Sequence, residues 1–164
     1  MELSVDIRRR TAQDLLAAAG PLAIRVVAGA RTEADDVDRV IALADELLGH
    51  YPVVGMLVIV EHGSPIPDGE VRRHMRQAAA HLGQRAVVAF ALEGLGFWAS
   101  TALAVATGLM QFAGNSVMAD TNLRVLLDRL ALDLVGVDPQ ALFEICEGLR
   151  RELAGASASS QLFG

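Results

Sequence analysis

The side chains with the strongest claim to chemistry lie between positions 61 and 68: Glu61, His62, Ser64 and Asp68. A carboxylate beside an imidazole can hold its tautomer for acid–base work. Neighbouring residues of a strand point to opposite faces, however, so Glu61 and His62 need not meet, and a solvated or structural histidine is the competing reading. Ser64 lies where a phosphate would be favoured by a helix N-terminus, but Pro65 follows it and a plain turn residue accounts for it equally. His74 and His81 are seven apart, whereas metal pairs on a helix use spacings of three or four, so no metal site is expected. His50 follows a helix end, where a cation is favourable. Cys146 is the single cysteine and falls on an apolar stripe, which implies a buried thiol, no intrachain disulfide and a reducing, cytoplasmic setting. Gly94 and Gly96 lack the third glycine of a dinucleotide loop. With no paired carboxylates and no nucleophile elbow either, neither a cofactor nor an enzymatic activity is expected.

These residues are positioned by an alternation of strands and helices. Met56 to Val60 is a continuous β-branched run, the pattern of a strand buried on both faces. Asp68 opens a helix through Leu82, stopped by Gly83, with Arg72, Arg73 and Arg76 expected in solvent. Before it, Leu3, Val5 and Ile7 alternate with polar residues and predict an edge strand. Thr11 to Asp14 suggests the cap of a short helix through Ala19, or a loose connector. Leu22 to Ala28 predicts a strand, and Thr32 the N-cap of an acidic-fronted helix with Val37, Val40, Ile41, Ala44 and Leu47 on one side. Arg85 to Leu92 predicts another buried strand. Residues 97–113 form an almost wholly apolar helix, followed by a strand at 116–119, a helix to Leu134, and a last helix opened by Asp138-Pro139. Residues 154–164 are expected to be a flexible tail.

The 164 residues suit one domain over 1–153, and a hydrophobic content of 52% makes it globular. All basic residues are arginine, and the net charge of −6 disfavours nucleic acid as a partner. The segment 97–113 is short for a membrane span and contains Ser100, Thr101, Thr107 and Gln111, so no transmembrane segment is expected.

Leu57 to Met75 with its Pro67-Asp-Gly-Glu-Val-Arg-Arg73 helix start, Glu93-Gly-Leu-Gly-Phe-Trp-Ala-Ser100, and Val117-Met-Ala-Asp-Thr-Asn-Leu-Arg-Val-Leu-Leu127 resemble the SpoIIAA-like, STAS-type family, including its bacterial STAS/SEC14-like members. The resemblance covers about residues 21–134 and implies an α/β fold. That fold has a mixed, mostly parallel sheet of about five strands, to which a C-terminal helix over 139–153 is an addition. Anti-sigma antagonists of that family carry a phosphorylated Ser after an Asp in this loop; here the matching place reads Ile66-Pro-Asp-Gly69, without a hydroxyl. Two functions follow. One is a non-catalytic regulatory or interaction module, homodimeric or bound to a protein partner through Phe97, Trp98, Leu103, Leu109, Met110 and Phe112. The other is a SEC14-like carrier or sensor of a lipophilic small molecule, lined by the same helix.

Overall fold

The computed structural model describes residues 2–94, 97–110 and 116–162, with the side chains of 97, 98, 109, 110 and 157–162 outside that description. Its strands are β1 (Val5–Arg10), β2 (Asp14–Ala19), β3 (Leu22–Val27), β4 (Val54–Val60), β5 (Ala86–Leu92) and β6 (Ser116–Asp120). Its helices are α1 (Ala34–Leu48), α2 (Gly69–Leu82), α3 (Phe97–Met110), α4 (Leu123–Asp133) and α5 (Pro139–Leu162). The strands lie in chain order in one six-stranded sheet. β1, β2 and β3 form an antiparallel meander, and β3 to β6 run parallel. The α/β class with a mostly parallel sheet agrees with expectation; the number of strands, six rather than about five, does not.

The extra strand is Asp14–Ala19, where a short helix or connector was the expectation. Leu and Ala are good helix formers, but propensity is a weak prior that tertiary context overrides, and six residues are too few to hold a helix without tertiary support. Turns close the segment at both ends. The Thr11 N–H donates to the Asp14 carbonyl at 2.8 Å, and Gly20, at φ 54°, makes the two-residue connection that sets Ala19 opposite Leu22. Held between β1 and β3, the six residues are all buried. β1 is exposed along its whole length, as an edge strand should be.

Sequential strand order decides where the helices go. Parallel crossovers keep one hand, so α1, α2 and α3, each joining adjacent parallel strands, must share a face. They do: Val40, Leu43 and Ala44 of α1, Ala79 and Leu82 of α2, and Ala102 and Ala106 of α3 pack in one cluster over Met56, Val88 and Phe90. After β6 the chain crosses to the opposite face. There Leu123, Leu126, Leu127 and Leu130 of α4 and Leu142, Cys146, Leu149 and Leu153 of α5 cover Leu57, Ile59 and Ala89. The C-terminal helix therefore docks on its own domain.

Local signals differ from expectation at two points, and a third lies partly outside the described residues. α1 starts after Glu33, whose backbone N–H donates to the Asp36 carboxylate at 2.8 Å; Thr32 is not the cap because its hydroxyl is drawn inward to Arg25. α3 is described to Met110, and the rest of the expected 97–113 helix lies outside the described residues. α5 continues to Leu162 instead of ending at 153. The segment from Ala154 contains Gly155 and three serines but no proline to break it. Asp68 and Asp138 do act as caps, accepting from Val71 and Ala141 at 2.9 and 3.0 Å, and Asn122 caps α4 by accepting from Val125 at 3.2 Å. Among the described residues no helix is long and apolar enough to cross a membrane.

Candidate functional site

A cavity of about 120 Å³ opens between the sheet and the three helices of the first face. Its floor is the carboxyl-terminal half of β4 and β5: Met56, Val58, Val60, Val88, Phe90 and Leu92. Val37, Val40 and Ile41 of α1 form one wall, Met75 and Ala79 of α2 another, and Ala102, Val105 and Ala106 of α3 the third. The cavity follows from residue size. Ala79, Ala102 and Ala106 are the buried residues that α2 and α3 bring to the cavity wall, and side chains this small leave space between a helix and a sheet. Protein interiors are otherwise close-packed, and a fully enclosed apolar volume of this size would cost about 3 kcal/mol. The strand order never reverses, so there is no crevice between strands at a switch point. The opening lies on the sheet's face, near the strands' carboxyl ends.

Polar groups are confined to the margin. Arg25 of β3 is 5% exposed. Its Nε and Nη2 donate to the two carboxylate oxygens of Asp14 at 3.0 and 2.7 Å, and its Nη1 donates to Thr32 Oγ1 at 3.0 Å. Asp36 stands 3.6 Å away and also receives Arg39 at 3.0 Å. This buried ionic group ties β2, β3 and the start of α1 together. Arg72 and Arg76 of α2 also line the cavity and are half-buried, not fully solvated as expected.

The four loop residues singled out above are sent to four different places. Glu61 turns to the opposite face, where its carboxylate takes Arg150 Nε at 2.5 Å and Nη2 at 3.0 Å. Glu147 and Glu93 complete that cluster at 2.8 and 3.6 Å from Arg150. Burial, reinforced by Glu61 and Glu147 against the pull of Arg150, raises the Glu93 carboxyl above the usual range. His62 is exposed and stands over Gly94, whose φ of 144° and lack of a Cβ let the ring approach. Ser64 is 1% exposed; its hydroxyl donates to the Val27 carbonyl at 3.3 Å and accepts from the Gly29 N–H at 2.9 Å. It pins the loop to the end of β3 and lines the cavity. Asp68 caps α2, and its carboxyl is held below the usual range chiefly by the Val71 N–H, with Glu70 and Arg31 adding to it.

His74 joins α2 to α1 through Asp38, 2.7 Å away. Cys146 is fully buried and its thiol is pushed up to about 12 by burial, so it has no nucleophilic character at neutral pH. Of the expected interface or lining residues, Leu103 packs partly buried against the first-face cluster. Phe97, Trp98, Leu109 and Met110 lie in α3 with side chains outside the described residues, as does the whole of Phe112. Arg25 and Asp14 were not anticipated as a unit. The available signal was a single arginine inside the otherwise apolar run Leu22 to Ala28, which in a central strand requires a buried counter-ion.

Compared with known proteins, the chain matches no family model, no curated protein and no solved structure, so its likeness to the STAS-type family rests on the quoted residues alone.

Proposed function

We propose that the protein binds a lipophilic small molecule beneath α1, α2 and α3, as a non-catalytic carrier or sensor. The observation that carries this is the combination of an apolar cavity and the alanines that keep it open. A volume of about 120 Å³ compares with the ~150 Å³ apolar cavity that stays dry and takes up benzene. It suits a compact hydrophobe or the end of an acyl chain. The SEC14-like side of the resemblance supports the same reading.

Self-association through 97–113 is the weaker proposal. The described outer face of α3 presents Ser100, Ala104 and Thr107, and Thr107 donates its hydroxyl to the Leu103 carbonyl at 2.8 Å. Side chains this small offer little area for a stable homodimer. Of its described apolar residues, Ala102, Val105 and Ala106 line the cavity. Calorimetric titration with 1-octanol tests the reading: the wild type binds saturably and Ala106→Leu, which fills the cavity, does not. Equal heats in the two proteins would refute it.

A further inference from the structure

We infer that the ligand is a neutral lipophile carrying a carbonyl oxygen, of the ketone or ester class, and that Thr32 and Arg25 receive this oxygen; this rests on the lipophilic reading above. Both residues line the cavity, where β3 meets the start of α1, and they are only 7% and 5% exposed. Their hydrogen bonds within the chain leave two donors over. A threonine hydroxyl carries one proton and a guanidinium five. Thr32 Oγ1 accepts from Arg25 Nη1, but among the described residues nothing accepts the proton of Thr32 itself. Arg25 directs Nε–H and one Nη2–H to Asp14 and one Nη1–H to Thr32, which leaves the second Nη1–H without an acceptor there. Buried donors in this state are rare and costly. Thr32 Oγ1 and Arg25 Nη1 stand 3.0 Å apart, so one oxygen can lie within hydrogen-bond distance of both, and a carbonyl oxygen has the two lone pairs for it. Ser64, the other hydroxyl of the lining, already donates to Val27 and accepts from Gly29. A charged head is disfavoured beside Arg25. Asp14 and Asp36 balance Arg25, and Arg39 balances Asp36, so an anion added to this buried group would lack a counter-ion.

Acetophenone and α-methylstyrene have the same shape and differ only in a carbonyl oxygen against a methylene group. In calorimetric titrations the affinity of acetophenone relative to α-methylstyrene should fall about tenfold in Thr32→Val. Thr32→Ser, which keeps the hydroxyl, should retain the wild-type ratio. A second measurement needs no variant: the carbonyl carbon resonance of isotope-labelled acetophenone bound to the wild type should lie downfield of its position in cyclohexane. Benzoate, similar in size but charged, should bind more weakly than acetophenone. If the ratio ignores Thr32→Val, if the bound resonance sits at its cyclohexane value, or if benzoate binds more tightly, the neutral carbonyl is refuted while the cavity reading stands. If neither acetophenone nor α-methylstyrene binds the wild type, the cavity reading fails and this inference fails with it.

Discussion

The two faces of the sheet are packed to different standards. On the α4/α5 face, leucines interdigitate so closely that Gly55 of β4 has no space for a side chain. A Cβ there would lie 2.8 Å from Leu22 Cδ2 and 3.1 Å from Leu134 Cδ1. On the α1/α2/α3 face, the same strand looks into a cavity walled by alanine and valine. One strand thus borders a region that would be strained by a methyl group and a region that lacks several. The dense face explains how a domain of this size tolerates an unfilled volume: the large leucine cluster lies on the α4/α5 side. The loose face is secured at its margin by ions, through Arg25, Asp14 and Asp36.

That division predicts a graded set of effects. Arg25→Met should be the most damaging, costing about 3–5 kcal/mol in urea unfolding, because it leaves the Asp14 carboxylate buried without its partner. A loss below about 1 kcal/mol would mean that the loose face is held by packing after all. Next comes a matched pair adding three carbons to each face. Gly55→Val should cost about 1–3 kcal/mol by overpacking, whereas Ala106→Leu should be neutral or stabilising. Equal losses would erase the distinction between the faces.

The smallest effect concerns the acidic cluster around Arg150. The raised Glu93 carboxyl binds its proton more tightly in the folded than in the unfolded chain, so the folded state holds more protons between the ordinary and the raised value. Stability falls as pH rises through that window, and the loss is complete above it. Glu93→Gln should therefore raise the melting temperature at pH 7 and leave it unchanged near pH 3. A gain that persists at pH 3 would point to another cause.

Much of the frame was legible because its signals are local. The β-branched runs of β4 and β5, the caps Asp68 and Asp138, and the stop at Gly83 each depend on neighbours in sequence. β2 was misjudged because its strand character comes from pairing on both sides, which residue propensity does not record. The site was legible only in part. Glu61, His62, Ser64 and Asp68 are adjacent in the chain but diverge in space, since alternation along β4 sends Glu61 to one face and the loop sends the others elsewhere. The residues that define the cavity margin, Arg25, Thr32, Arg72 and Arg76, come from three separate segments, and a cavity is a property of what alanines fail to fill. The helix at 97 stands out in the sequence by its shortage of polar face, and its described part turns Ser100, Ala104 and Thr107 outward.

The most direct test is a titration of the methyl-labelled protein with benzene, followed by NMR. Saturable shifts confined to Val58, Val60, Val88 and Ala106, with Leu126, Leu127 and Leu130 unmoved, are the predicted result. Shifts spread over both faces, or none at all, would contradict the claim that one face of this sheet is built to stay open.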